Sequence, residues 1–310
     1  MCKGLSYSLL KLPTRFHCLK GIFLLVVCVP NLPAKAMTSE DLELRVMTFN
    51  IRNSYARDGE NDWKYRKELV YQTIRDYSPA ILGLQEANHA QQNELLSALP
   101  EYDFVGIGAK GETKGQNCSI LYLKNRFKVD NTETFWLSET PTVPSSTWGN
   151  HHLRIFTYAR LVENESGNII NTYNCHLDDG SRKAREKSVR QIGEHILNQP
   201  SNQPFVFMGD FNAPENSATI QQLGKFKTKQ DETIHLASDS FRMLHPQKKD
   251  VGTYHGYIGN TQGSKIDSIF VPPATEVLEA SIVRTSSNDR YPSDHFPVTA
   301  TLRFKIIKGP

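Results

Sequence analysis

The strongest constraint in this 310-residue chain is an unbroken alternation of apolar segments with short polar connections, in which one apolar run after another stops on an amide, a carboxylate or an imidazole. Leu44 to Arg52 is β-rich and carries Asn50, Ala80 to Leu84 has a buried-strand pattern and delivers Glu86, Ile169 to His176 ends on its histidine, and Phe205 to Gly209 delivers Asp210. Further strands are predicted at Ile120 to Leu123, Ile155 to Leu161, Ile266 to Val271 and Pro297 to Phe304. Helical spacing appears in Lys64 to Tyr77, closed by Ser78-Pro79, and in Lys183 to Leu197, where Ala184, Val189, Ile192 and Ile196 share a face. This pattern predicts one large α/β domain, two sheets' worth of strands under covering helices. Its polar residues fall at strand C-terminal ends, where open α/β sheets place ligands.

The first 36 residues read differently. Lys3, Lys11, Arg15 and Lys20 precede the apolar run Gly21 to Val29 and the small-x-small site Ala34-Lys-Ala36, the pattern of a signal peptide cleaved near Ala36. The expected organisation is a signal peptide over 1–36 and a domain over 37–310, with an exported, periplasmic or secreted product; an uncleaved anchor is the alternative. The full chain has 36 Lys+Arg and 33 Asp+Glu, a net charge of +3. Five of the basic residues and no acidic ones lie in 1–36, so the remainder carries 36 − 5 = 31 against 33, or −2. That balance gives no global positive charge for nucleic-acid binding, although a local basic groove is compatible with it. Cleavage also leaves only Cys118 and Cys175, either a disulfide or two buried thiols.

Seven short islands carry the chemistry: Thr48-Phe-Asn50, Leu84-Gln-Glu86, Asn174-Cys-His176, Gly209-Asp-Phe-Asn212, Thr253-Tyr-His255, Ile266-Asp267 and Ser293-Asp-His295. Together they supply the carboxylates, amides and imidazoles that metal-assisted attack on phosphorus requires. Each has a bland reading. Glu86 could open a surface helix, Gly209-Asp-Phe-Asn212 could be an ordinary turn, and His176, His255 and Arg154 could be structural or surface residues. The sharper readings have Asp210 and Asn212 holding a water or phosphate oxygen, Asp294 or Asp267 orienting His295 as a base, and Arg154 and His255 clamping a phosphate.

In this order the islands resemble the endonuclease/exonuclease/phosphatase superfamily, from about Leu44 to Phe304. Longer counterparts in Thr134-Phe-Trp-Leu-Ser-Glu-Thr-Pro141, Ala184-Arg185 with Ser188, and Tyr291-Pro-Ser-Asp-His-Phe-Pro297 point to a bacterial exported branch related to carbon-catabolite-repressor deadenylases. The resemblance implies a four-layer α/β sandwich, two packed mixed β-sheets flanked by helices, and a divalent ion, Mg²⁺ or Mn²⁺. It implies Glu86 as principal metal ligand with Asn50 and Asp294 beside it. Asp210 and Asn212 would position the attacking water and phosphate, Asp267 and Asp294 would assist His295, and His176 would bind or protonate phosphate oxygens. Arg52, Asn50, Arg154 and His255 are the expected substrate contacts.

Two positions depart from relatives. Apurinic endonucleases carry an acidic residue where this chain has Arg52, which disfavours that branch, and the related branch commonly has a glutamate near Gln116, which Glu112 could replace. A glutamine there would stabilise a His176 imidazolium less. The expected activity is in-line phosphoester hydrolysis by a monomer without a stable protein partner. A nuclease or exonuclease on RNA or DNA oligonucleotides ranks first by resemblance, then a phosphatase or phosphodiesterase on a small phosphorylated molecule or phospholipid headgroup, and last a non-catalytic binding protein.

Overall fold

Alternation along single strands explains why the chain forms layers. In the run Phe205-Val-Phe-Met208, Val206 and Met208 join one buried cluster while Phe205 and Phe207 join another. A strand with apolar side chains on both faces must be covered on both, by a second sheet on one side and by helices on the other. The structure, a computed structural model, describes residues 39–307; the expected signal segment 1–36 lies outside them.

In chain order the first sheet begins with β1 (Ser39–Asn50), followed by α1 (Trp63–Tyr77), β2 (Ile81–Gln85), α2 (His89–Ala98), β3 (Tyr102–Val105) and β4 (Cys118–Leu123). The chain then builds the second sheet from β5 (Phe127–Trp136), β6 (Ile155–Glu163), β7 (Ile169–His176), α3 (Arg182–Leu197) and β8 (Phe205–Asp210). After α4 (Ala218–Gly224), a small hairpin of β9 (Phe226–Lys227) and β10 (Thr233–Ile234) leads to β11 (Ser238–Asp239), α5 (Ser240–Leu244) and β12 (Asp267–Val271). Finally β13 (Glu276–Ile282) and β14 (Val298–Ile307) return to the first sheet.

The strand orders are β13-β14-β1-β2-β4-β3 and β11-β12-β8-β7-β6-β5. Only β1 with β2 and β7 with β8 pair in parallel within these sheets, so both are mixed. Leu42, Leu44 and Val46 face Ile170, Val206 and Ile269 across the inter-sheet core; Met47 and Phe49 pack under α1 and α2, and Phe207 and Tyr173 pack with Val189 and Ile192 of α3. Emptying one of these positions, as in Phe207→Ala, costs about 3–5 kcal/mol. The expected four-layer sandwich is present. The edge strand β5 and the strand β13 were not anticipated, because much of each is exposed and lacks a continuous apolar run.

The topology gathers the islands at one end. Both parallel pairs finish there, with Asn50 opposite Gln85 and His176 opposite Asp210. The antiparallel neighbour β12 starts where β8 ends, placing Asp267 opposite Asp210. Between the sheets, Gln85 donates to Asn174 Oδ1 at 2.6 Å, and Asn174 Nδ2 donates to the Leu84 and Ser119 carbonyls, both at 2.8 Å. Asn174 is therefore a buried bolt beneath the islands rather than part of their surface. Cys118 and Cys175 are free, buried thiols, and burial pushes both up in pKa.

Candidate active site

A cleft of about 390 Å³ opens over these strand ends, lined by Glu86, His176, Asp210, Asn212, Asp294 and His295, with Arg52, Asn53, Gln116, His152, Arg154, Asp179 and Tyr254 around them. Close backbone packing shapes its floor. Any Cβ at residue 209 would run into the Cys175 carbonyl, so Gly209 (φ 151°) lets β8 reach β7. Arg52, Glu86 and Asn212 have left-handed backbones, with φ of 53°, 64° and 47°. Non-glycine residues hold that conformation at a cost of about 1–3 kcal/mol each, and such strain concentrates at functional sites.

Asp210 is the hub. Its Oδ2 accepts from Asn50 Nδ2 at 3.0 Å and lies 3.4 Å from His176 Nε2 and 3.8 Å from His295 Nε2. Its Oδ1 accepts the Asn212 backbone N–H at 2.9 Å, while Asn212 Nδ2 donates to the Leu177 carbonyl at 3.0 Å. Burial and the nearby Asp267 charge push the Asp210 carboxyl up to about 7, against the opposing charge of His295. For His295, burial disfavours the cation, but the charges of Asp267 and Asp210 and the hydrogen bond to Asp267 outweigh it and raise the imidazole to about 10. His176 moves the other way, driven well down by burial and by the charges of Arg154, His295 and His152. One imidazolium, one neutral imidazole and a carboxyl titrating near neutrality thus meet around one point.

Glu86 forms the other wall. Burial pushes its pKa up, yet hydrogen bonds from Asn53 and Asn50 and the charge of Arg52 hold it below its usual value. Asn53 donates to Oε2 through its side chain at 2.8 Å and its backbone at 3.2 Å. Asp294 faces the same cleft, and its carboxyl is raised by burial and by Glu86, against His295 and Arg52. A buried carboxylate and a half-buried one that repel each other suit a hard cation, because it relieves the repulsion and accepts oxygen donors. Asp210, Asp267 and His295 also present ligand-type atoms within 4.8 Å of one another, but the His295–Asp267 hydrogen bond already fills that space with a proton. A second group, His151, Asp178 and Asp179, is structural: both Asp178 oxygens are taken by the backbone N–H groups of His151, His152, Gly180 and Ser181.

Three expectations change. Asn50 is not placed as a metal ligand: its Oδ1 accepts the Arg52 backbone N–H at 3.0 Å, which turns its NH₂ group toward Glu86 and Asp210. Asp294 makes no hydrogen bond to the His295 ring; it lies 3.1 Å from Ser293 Oγ and 3.8 Å from Arg52 Nε, while Asp267 orients the imidazole. His255 stands outside the cleft lining, being buried and stacked on Phe296 at a centroid distance of 3.9 Å. Its neighbour Tyr254, half exposed, lines the cleft beside His295 instead, with ring centroids 5.1 Å apart.

Arg52 and Arg154, the arginines expected to contact substrate, both line the cleft, each paired to a carboxylate: Arg52 Nη2 to Asp58 at 3.0 Å and Arg154 Nη2 to Asp179 at 3.1 Å. Gln116 lines it too, whereas Glu112 is exposed and stands outside the lining. Sequence reasoning missed Asn53 and Tyr254. A left-handed turn and an irregular loop carry them, and neither has a periodic signal.

A sequence profile described as the Endonuclease/Exonuclease/phosphatase family matches residues 47–295. A Bacteroides vulgatus endonuclease/exonuclease/phosphatase structure is 31% identical with a TM-score of 0.74, covering 84% of this chain and 98% of that one. The mannosyl-6-phosphatase of Bacteroides thetaiotaomicron is 29% identical with a TM-score of 0.74, covering 84% and 99%. Mouse Nocturnin is 23% identical over 291 residues, 84% of this chain. The chain spans less than two thirds of the length of the curated relatives it matches, 64% for mouse Nocturnin. With the fold and the converging strand-end residues, the profile match makes this chain a member of the endonuclease/exonuclease/phosphatase family.

Proposed function

We propose that the protein is a divalent-metal-dependent phosphoester hydrolase acting on a small phosphorylated molecule. The observation that carries the reading is the hub at Asp210, where a carboxyl pushed up to about 7 stands between a protonated His295 and a neutral His176. Asp210 accepts a proton from the attacking water, since a base is most effective when its pKa lies near the working pH. His295, held charged by Asp267, donates a hydrogen bond to a phosphoryl oxygen and stabilises the charge developing there as the bond from phosphorus to the ester oxygen breaks, and the departing alkoxide takes its proton from solvent. His176 and Arg154 bind the remaining oxygens, and Asn50 keeps the Asp210 carboxylate turned toward the water. A divalent ion of the Mg²⁺ or Mn²⁺ type, held by Glu86 and Asp294, would add neutralisation of phosphoryl charge.

The bounded cleft and the pairing of both lining arginines with carboxylates favour a small substrate over a polyanion, whose binding draws on unpaired cations along its track. The likeness to a mannosyl-6-phosphatase along 99% of that chain supports the same choice. The same hub chemistry would also cleave a phosphodiester. The test therefore sets hexose phosphates and phospholipid headgroup esters beside RNA and DNA oligonucleotides, with Mg²⁺ or Mn²⁺. EDTA-sensitive phosphate release from the small esters is expected; faster cleavage of oligonucleotides would overturn the substrate class, and no hydrolysis of any would overturn the activity. Export and a monomeric state belong to the same proposal. The exported protein should begin at residue 37 on N-terminal sequencing and elute as one copy; an intact residue 1 or a stable dimer would contradict it.

A further inference from the structure

The ladder joining β1 to β14 ends at Thr48 and Val298, yet the residues that matter, Asn50 to Arg52 and Pro292 to His295, lie beyond that pair. Something other than sheet pairing must hold these two segments in register. Ser293 Oγ supplies one tie by donating to the Asn50 carbonyl at 2.6 Å, and the 3.8 Å Arg52–Asp294 ion pair another. The most connected is Arg66 of α1.

Its guanidinium is buried, and all four of its hydrogen bonds go to backbone carbonyls: Nη1 to Ile51 at 2.6 Å and to Pro292 at 2.9 Å, Nη2 to Arg52 at 2.9 Å, and Nε to Asn61 at 2.9 Å. The head lies between the rings of Trp63 and Tyr257, 5.2 and 5.9 Å from their centroids. None of these bonds reaches a carboxylate, and the residue sits in the first turns of α1, where the helix dipole disfavours a cation. A buried charge so placed costs free energy, and fold stability alone would favour an apolar side chain there. The function of the arrangement is geometric. One planar fork joins two loops, reaching Pro292 across 226 residues of sequence from Arg66, and satisfies the carbonyl of Arg52, whose left-handed backbone (φ 53°) aims the carbonyl inward while the side chain lines the cleft.

We propose that Arg66 is a positioning residue for the reaction: it clamps the end of β1 to the loop carrying Asp294 and His295, and so sets the spacing between the Glu86 wall and the Asp210–His295 hub. The proposal rests on the hydrolase reading above. Lysine cannot replace it, because a single ammonium has no planar fork with which to reach three carbonyls in fixed directions.

The test compares Arg66→Lys with wild type in the full chain. Two signals are read: steady-state kinetics on a small phosphate ester, and the low-field NMR resonance of the His295 Nδ1 proton shared with Asp267. The folded variant should lose about 100-fold in kcat with KM nearly unchanged, the size of effect expected from a small misplacement of catalytic groups. Its imidazole resonance should move or vanish. A folded Arg66→Lys with wild-type kcat and an unmoved resonance overturns the proposal. If that variant does not fold, Arg66→Gln decides, since its amide removes the buried charge and the planar fork but keeps a donor for one carbonyl. A fall in kcat at constant KM supports the clamp, and unchanged kcat overturns it. Should wild type prove inactive on every ester, the hydrolase reading fails, and the shift of the imidazole resonance alone then decides whether Arg66 positions His295.

Discussion

His295 Nδ1 lies 2.9 Å from Asp267 Oδ2, across 28 residues of sequence, while its immediate neighbour Asp294 leaves the ring alone. The strand register explains the choice. Asp267 opens β12 directly opposite Asp210, so the carboxylate that orients the imidazole and the one that His295 Nε2 approaches come from paired positions of one sheet.

Replacing Asp267 with asparagine should keep the fold, replace a charge-assisted hydrogen bond with a neutral one, and remove the largest of the charges that keep His295 protonated. The loss of a protonated donor from the reaction is worth about 10²–10⁴ in rate. Steady-state kinetics should show kcat reduced within that range, and an Asp294→Asn variant should instead raise the metal concentration needed for half-maximal rate.

The pH profile follows from the directions of the shifts. Asp210 must be deprotonated to take a proton, so kcat/KM should fall as pH drops through about 7, where its carboxyl titrates. His295 must be protonated to donate, so kcat/KM should fall again as pH rises toward about 10. The two limbs give a bell with its plateau between those values, and in Asp267→Asn the alkaline limb should move down because the largest of the charges that raise His295 is gone.

Metal dependence tests the Glu86 wall. Glu86→Gln keeps the shape but removes the ionised oxygen that Asn53 and Asn50 hold in place. Calorimetric titration with Mn²⁺ should show affinity reduced by about 10-fold or more, as expected when a charged ligand becomes neutral. Equal affinity in the variant would place the ion elsewhere.

His255 was expected to touch substrate and is instead packed under the site. His255→Ala should lower stability by about 2–4 kcal/mol through the cavity left beside Phe296, seen as a lower melting temperature, and leave KM unchanged. Tyr254→Ala should reverse the pattern, raising KM with little effect on melting, because that ring is half exposed at the cleft.

These contrasts show which parts of the molecule could be read from the chain. Asn50, Glu86, His176 and Asp210 were legible because each sits where an apolar strand stops, and the end of an apolar run is a local signal. The four layers were legible for the same reason, since β8 is apolar on both faces. Both carboxylates named for His295 were legible, but the choice between them was not, because adjacency favoured Asp294 while the sheet register chose Asp267. The loop around Thr253 misled for a related reason: without a regular strand period, nothing local distinguishes the buried His255 from the exposed Tyr254. Arg66 was invisible, because its partners are carbonyls of Ile51, Arg52, Asn61 and Pro292, and backbone atoms carry no sequence signature. The exposed faces of β5 and β13 hid those strands by blurring their apolar periodicity.

The proposed hydrolysis depends most directly on Asp210 as the group that takes the proton. Phosphate release from a hexose phosphate, measured with Mn²⁺ for wild type and Asp210→Asn, tests it. The variant retains the hydrogen-bonding shape but cannot accept that proton, and the account predicts a loss of about 10³-fold in kcat with the metal still bound. Release at the wild-type rate from the variant would contradict it.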